Sequence, residues 1–590
     1  MNKTDYFNNE MLEYFSAEAG AYTFFTVTEI NKGTYNVKTV IRDLLINYIG
    51  NDNMPVATVT DNQDIIFALY DDEKGMVTSE MSIPCKYSKA KAGKKEVTIY
   101  FPQKLMAKYH VTVDDVWFVF LSSMYSHPVL GMMQRRKWIL KFSEDREFYS
   151  KQHILNINID AVHLQNYRCF NDVEVNLNED YTVLVGINGT GKTSILDGIA
   201  VGISGFLDEL NGSASKKITK DDARISTYYS GKRLQTVSNY PVGVEINASV
   251  DGQSLVWRRV ISTENSKLSP NKDELIETLA YIMREEIKDG NNSIYLPIVA
   301  YYGTDRLRNI YGTKNSIKDG VVTNRLKGYD YCLASAIDYK KFSDWFEEMT
   351  LIELQDGEHV PELNVVKTAV QESYNLLTGN EEECRIDYQL KSKEIEISRI
   401  INNKTEIVPL RMLSDGMKSV LIMIGDIAYR MAKLNPDLSE DITKLTPGIV
   451  IIDEIDMHLH PSWQKNIIKA IKSVFPRIQL ITTTHAPSVL TNISQEHLVR
   501  LYDYNAYDYQ NELYGRDIDS ILSEVMDTTV RPNEVIKLIT EFDNTLDSDI
   551  DKAEGILDKM ERILGPTAKE VVEGRVALDV ERAITGDDID

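Results

Sequence analysis

Cysteine is scarce in this chain: four in 590 residues, at Cys85, Cys169, Cys332 and Cys384, far apart and with no Cys-x-x-Cys spacing. That excludes a zinc knuckle and a disulfide framework, and it fits a reducing compartment. Long apolar runs are missing too, since no stretch approaches the roughly 18 to 20 apolar residues of a membrane span. The opening residues Met1–Glu10 lack the basic start and apolar run of a signal peptide. A cytoplasmic chain with no membrane partner is the expectation. Positive charge is in deficit: 65 Lys and Arg stand against 89 Asp and Glu, a net charge of −24. A protein that coats nucleic acid or anionic membrane with its whole surface is thereby excluded, because phosphate binding needs local positive charge; a local basic groove stays open. Coiled-coil arms, internal repeats and low-complexity tracts are absent as well.

At about 150 residues per domain the length allows three or four domains, and 43% hydrophobic against 26% charged residues is the balance of a folded chain. Residues 1–150 mix β-rich and turn-rich text and carry no nameable motif, so they form an N-terminal accessory domain of unknown role. Within them residues 86–108 hold seven lysines (Lys86, Lys89, Lys91, Lys94, Lys95, Lys104, Lys108) against Glu96 alone, and Arg135, Arg136, Lys137 and Trp138 follow. This reads as a solvated loop face, with a nucleic-acid patch as the alternative. Residues 155–310 change to short strands and one apolar helix, 311–385 read as a helical insertion or lid, 386–510 resume the α/β pattern, and 511–590 read as an acidic helical region. In the last fifty residues fifteen acids face six bases, which makes that tail an unfavourable surface for DNA.

The sharpest motif is Gly186-Ile187-Asn188-Gly189-Thr190-Gly191-Lys192-Thr193, preceded by an apolar strand and followed by a helix from Ser194. Glycines let such a loop turn tightly and aim its amides inward, and the helix N-terminus adds positive potential; together they bind nucleotide phosphates. Lys192 would reach the β and γ phosphates and Thr193 would hold Mg²⁺. Downstream, Gly448–Ile452 is an unbroken apolar run ending in Asp453 and Glu454, as a buried parallel strand would. Asp453 is the second candidate for Mg²⁺, and Glu454 for the base that deprotonates the attacking water.

Leu413-Ser414-Asp415-Gly416-Met417-Lys418 opens an amphipathic helix, with Ser414 in the capping position and Gly416 allowing close approach. The order phosphate loop, Leu-Ser-Asp-Gly, Ile-Ile-Asp-Glu, then His485 after a further strand resembles the ABC ATPase fold, whose signature motif is similar to residues 413–417. The phrase Leu164–Leu177 and the short gap between phosphate loop and signature are similar to RecF- and OLD-type ATPases and unlike SMC proteins, whose arms would fill that gap. Residues 155–565 further resemble the ATPase subunits of Septu anti-phage systems, through Leu296–Arg306, Asp453–Pro461 and the tail from Tyr514.

The resemblance implies an α/β fold: an ABC-type P-loop ATPase head with a helical insertion, an N-terminal α+β domain and a C-terminal helical tail. It implies ATP and Mg²⁺ as cofactors, and a homodimer or larger homo-oligomer that sandwiches ATP between one chain's phosphate loop (Gly186, Asn188, Gly189, Thr190, Gly191, Lys192, Thr193, Ser194) and the partner's Ser414 and Gly416. His485 would be the switch histidine at the γ-phosphate, and Arg168 would lie near the adenine. An HNH endonuclease would be the partner, regulated by this subunit. Asp415 and Met417 stand where the signature has Gly and Gln, which implies slow turnover. The usual glutamine loop is not placed; Tyr302, Gly303 and Arg306 sit near its position, and Gln253 reads as hairpin. Asp456, His458 and His460 read as the loop after the acidic strand in preference to a metal cluster. Asp547, Asp549 and Asp551 read as a helix start in preference to a TOPRIM site, and no nuclease triad is visible. A DNA-repair ATPase binding DNA and a non-hydrolysing ATP-gated scaffold are the competing functions.

Overall fold

The computed structural model describes residues 155–585 apart from short segments, the longest being 307–323, and before them nine strands between Tyr22 and Gln134. Those nine strands form one sheet in which every neighbouring pair is antiparallel. Lys86 and Lys89 lie on the strand Cys85–Lys89, and Lys89 is in register with Lys95 on the neighbouring strand. Lys91, Lys94, Lys104, Lys108 and the segment 135–138 lie outside the described residues.

Residues 155–526 build an α/β head around one core. Its central sheet runs in the order Ile298–Tyr302, Gly448–Ile452, Ile478–Thr483, Tyr181–Val185, Leu498–Tyr502, Asn505–Asp508. The first five strands are parallel and the last is antiparallel. Ile298–Tyr302, Gly448–Ile452 and Ile478–Thr483 are buried at every position, the burial that a parallel sheet covered on both faces requires and the reason these segments read as continuous apolar runs. A second, antiparallel sheet (Asp172–Asn176, Ile157–Gln165, Val242–Val250, Gln253–Ile261, Ser269–Asn271) packs on the helix Lys192–Asn211, which leaves the phosphate loop. That helix is apolar nearly all round because it is enclosed.

The helices Tyr339–Asp356 and Pro361–Thr378 send Phe342, Phe346, Leu363, Val366 and Val370 into the same core. A three-stranded antiparallel meander, Arg385–Gln389, Glu394–Ile401 and Lys404–Pro409, follows, and a short 3-10 turn delivers the chain to Ser414. The last three helices, Asn533–Leu546, Ile550–Leu564 and Lys569–Thr585, have a small core of their own around Phe542, Leu557 and Met560. Asp549 caps the second of them, its carboxylate accepting from the Lys552 amide at 3.0 Å. No described helix is long and apolar enough to cross a membrane.

Candidate nucleotide site

The strand Tyr181–Val185 stops at Gly186, and the loop that follows closes on itself: the Thr190 hydroxyl donates to the Ile187 carbonyl at 2.9 Å. Gly189 and Gly191 adopt φ of 87° and 99°, the left-handed region that costs a side chain dearly. At Gly191 a methyl group would also lie 2.7 Å from the Cys169 sulfur, so the turn before the loop presses directly on it. Asn188 and Gly189 are exposed at the apex, whereas Lys192 is 7% exposed and folds back, its Nζ donating to the carbonyls of Gly186 at 2.8 Å and Ile187 at 3.2 Å. Burial pulls the Lys192 pKa below its ordinary value, against the opposing pull of Asp453, Glu454 and Asp456. Burial pushes the Cys169 thiol pKa up, with Ser194 of the first helical turn opposing that shift.

Parallel pairing carries the acidic strand to the same end of the sheet. Asp453 comes beside Thr193, 260 positions away in sequence, and its Oδ2 accepts from the Thr193 hydroxyl at 2.8 Å. The other oxygen accepts from Thr483 at 2.6 Å, so a carboxylate only 4% exposed is satisfied on both sides. Glu454 is half-buried and has φ of 47°, a conformation that costs a residue with a side chain about 1–3 kcal/mol and persists only where neighbours enforce it. Its amide donates to Thr483 Oγ1 at 2.7 Å and its carbonyl accepts from Arg306 at 3.0 Å. Asp456 ties the two loops together: one oxygen accepts from the Thr484 hydroxyl at 2.5 Å and from the His485 amide at 3.3 Å. His485, half-buried, thus leaves the sheet beside the phosphate-loop strand, where Thr483 is in register with Leu184.

Lys192, Thr193, Asp453, Glu454 and His485 therefore gather at one end of the sheet, and Ser414 and Gly416 stand apart. Ser414 is exposed and caps its helix, accepting from the Met417 amide at 3.4 Å; among the described residues no hydrogen bond joins it to the phosphate loop. Gly416 is buried against the loop after the acidic strand: a methyl group there would overlap the His458 carbonyl oxygen and lie 2.8 Å from the His458 carbonyl carbon. Asp415 is exposed and pairs with Lys418 at 2.8 Å. Arg168 has a neighbourhood that the sequence did not suggest: it pairs with Asp222 at 2.9 Å and with Asp197 of the phosphate-loop helix, which also holds Lys216. Burial pushes the Asp197 carboxyl up, but Lys216 and Arg168 outweigh it and hold the pKa below the usual range.

His460 caps the short helix Pro461–Gln464, and among the described residues no group of His, Cys, Asp and Glu is placed to hold a metal on its own. Thr193 and Asp453 nevertheless fit a hydrated divalent cation shared with a nucleotide, since a hydroxyl and a carboxylate oxygen already converge. Gln253 pairs with Val250 in a hairpin. Arg306, in contrast, is 1% exposed and donates to Ser419 Oγ at 2.9 Å and to the carbonyls of Asp453 at 2.8 Å, Gly303 at 3.1 Å and Glu454. In sequence it is one arginine four residues past the apolar strand Ile298–Tyr302, and its only signal was its position after Tyr302-Gly303.

The family described as "AAA domain, putative AbiEii toxin, Type IV TA system" matches residues 181–491, from the phosphate-loop strand to just past His485. The chain is 25% identical over 501 residues to the protein named "Retron Ec83 probable ATPase" of Escherichia coli, covering 74% of this chain and 88% of that one. It is 27% identical over 399 residues to the Septu protein PtuA of Bacillus thuringiensis, covering 64% and 87%. To the DNA replication and repair protein RecF of Rickettsia canadensis it is 21% identical over 394 residues, covering 59% and 99%.

Proposed function

The chain belongs to the AAA-domain family whose match spans residues 181–491, and from that premise we propose that it is the ATP-hydrolysing regulatory subunit of an anti-phage defence complex. The observation that carries the chemistry is the Thr193–Asp453 hydrogen bond of 2.8 Å, with Glu454 next in the chain and held in a left-handed turn. The phosphates of ATP take the amides of Gly186–Thr193 and the positive end of the helix Lys192–Asn211. Lys192 gives up its two loop carbonyls for the β and γ phosphates, exchanging neutral acceptors for charged ones. Mg²⁺ would be held by Thr193 and Asp453, and when bound it neutralises charge on the phosphate oxygens.

Glu454 accepts the proton of a water whose oxygen bonds to the γ-phosphorus while the bond to the ADP oxygen breaks; ADP and phosphate leave. His485 donates to the γ-phosphate, its loop held by Asp456. Ser414 is exposed at the start of its helix, so it serves a nucleotide on a second copy, and the working unit is a head-to-tail dimer or a larger assembly. Asp415 places a carboxylate beside that phosphate, offset in part by Lys418, which makes turnover slow.

The similarity to the Septu protein PtuA and to a retron ATPase supports the defence assignment. The partner is an HNH endonuclease, as the Septu resemblance implies, held or licensed by the nucleotide state. A DNA-binding repair ATPase is the second reading, favoured by the likeness to RecF and by Lys89 standing in register with Lys95. The test is to purify the Glu454→Gln protein from its own host with ATP and Mg²⁺ and identify what accompanies it by mass spectrometry. A stoichiometric nuclease is expected; DNA with no nuclease would overturn the defence reading in favour of repair.

A further inference from the structure

Arg306 has no part in the chemistry above, yet it is among the largest fully buried side chains in the described residues, at 1% exposed. A buried guanidinium is tolerated only where its N–H groups find acceptors. Here Nε donates to Ser419 Oγ at 2.9 Å, one terminal nitrogen to the carbonyls of Asp453 at 2.8 Å and Gly303 at 3.1 Å, and the other to the carbonyl of Glu454 at 3.0 Å. Two of these acceptors are the consecutive peptide groups that carry the candidate metal ligand and the candidate base. The Ser419 contact lies in the first turns of the helix Asp415–Leu434, which Ser414 caps. A second contact fixes the same helix to the end of the neighbouring strand Ile298–Tyr302, which pairs with the acidic one: the Tyr302 hydroxyl donates to Asp426 at 2.8 Å, and Arg430 pairs with Asp426 at 2.7 Å.

We propose that Arg306 is a positioning residue that holds Glu454 in its left-handed turn and joins it to the Ser414 helix. Contact of Ser414 with a partner's nucleotide is thereby passed to the base that serves the chain's own nucleotide. The inference rests on the reading of ATP hydrolysis in head-to-tail pairs. The argument is geometric. Glu454 has φ of 47°, and its peptide is fixed at the amide by Thr483 and at the carbonyl by Arg306. Without the arginine the carbonyl loses its partner and the turn is free to relax. The guanidinium fork reaches two successive carbonyls and a hydroxyl on a different element at once; an ammonium, with three donors at one point, does not. Because Nε serves the helix and the terminal nitrogens serve the acidic strand, a shift of one element moves the other. Two sites that bias one shared element are coupled in binding and turnover.

The experiment compares full-length parent, Arg306→Lys, Arg306→Ala and Ser419→Ala proteins in phosphate release as a function of ATP, with nucleotide affinity measured by equilibrium binding of a fluorescent ATP analogue. Both Arg306 variants are expected to lose maximal turnover by about 10²-fold, the effect of misplacing a reacting group by about 1 Å, with affinity within about threefold of the parent. Ser419→Ala keeps both carbonyl clamps, so its maximal rate stays near the parent's while its Hill coefficient falls to that of independent sites. Parental turnover in Arg306→Lys would overturn the proposal. So would parental cooperativity in Ser419→Ala, or a parent with no cooperativity to lose. Should Arg306→Ala fail to fold, the other two variants decide. A parent that releases no phosphate overturns the hydrolysis reading and this inference with it; a turning-over parent with an unaffected Arg306→Lys overturns the inference alone.

Discussion

Replacing Gly416 by alanine separates a structural from an intermolecular role for the signature segment. The added methyl group would lie 2.8 Å from the His458 carbonyl carbon and closer still to its oxygen, where ordinary contacts are 3.4–4 Å. Both atoms are backbone, so relief requires the helix start and the loop to part by more than half an ångström. Overpacking of that kind costs about 1–3 kcal/mol, and the cost falls on the nucleotide-free single chain. Chemical denaturation of Gly416→Ala without nucleotide is therefore expected to show that loss. Gly555→Ala is the control: it lies inside the helix Ile550–Leu564 with nothing within 4 Å, and should gain about 0.5–1 kcal/mol. Gly416→Ala with parental stability would refute the close approach and leave the glycine explicable only by a partner chain.

Asp453→Asn keeps the shape but replaces one of two acceptor oxygens that serve Thr193 and Thr483; ATP binding in EDTA should persist while the gain on adding Mg²⁺ disappears, and an undiminished Mg²⁺ effect would remove Asp453 from the metal site. Burial holds the Lys192 pKa below its ordinary value in the nucleotide-free chain, whereas phosphates favour the charged form. ATP affinity should therefore fall as pH rises through that lowered value, with proton uptake in calorimetry across that range and none in Lys192→Ala. Asp197 is held below the usual carboxyl range by Lys216 and Arg168, so its stabilisation is fully present above the unfolded pKa of about 3.9 and is lost as pH falls through the lower folded value. Asp197→Asn should be less stable at neutral pH and show a flatter acid limb in denaturation; an unchanged limb would contradict the assignment.

The phosphate loop and the acidic strand end were legible because each is a local pattern: glycines between strand and helix, and an apolar run closed by two acids. Their meeting was legible only through the order of motifs, since nothing local in Thr193 or Asp453 foretells a partner 260 positions away. The helix Lys192–Asn211 was legible from the helical spacing of its apolar residues, whereas its enclosure depends on the second sheet that packs on it. The meander 385–409 could have been read from the alternation at Arg385–Gln389, where buried and exposed residues take turns. Arg306, Arg168 and the reason for Gly416 were beyond reach, because each depends on a contact between distant segments that leaves no periodicity behind. For Arg168 the resemblance pointed toward a nucleotide base, whereas its charge is engaged by Asp197 and Asp222.

The most direct test of hydrolysis with Glu454 as base is to measure, on one preparation each of parent and Glu454→Gln protein, the ATP bound and the phosphate released. The account predicts that the variant retains ATP at parental affinity or better while its phosphate release falls by about 10²- to 10⁴-fold. Equal phosphate release from the two proteins, or a variant that no longer binds ATP, would contradict it.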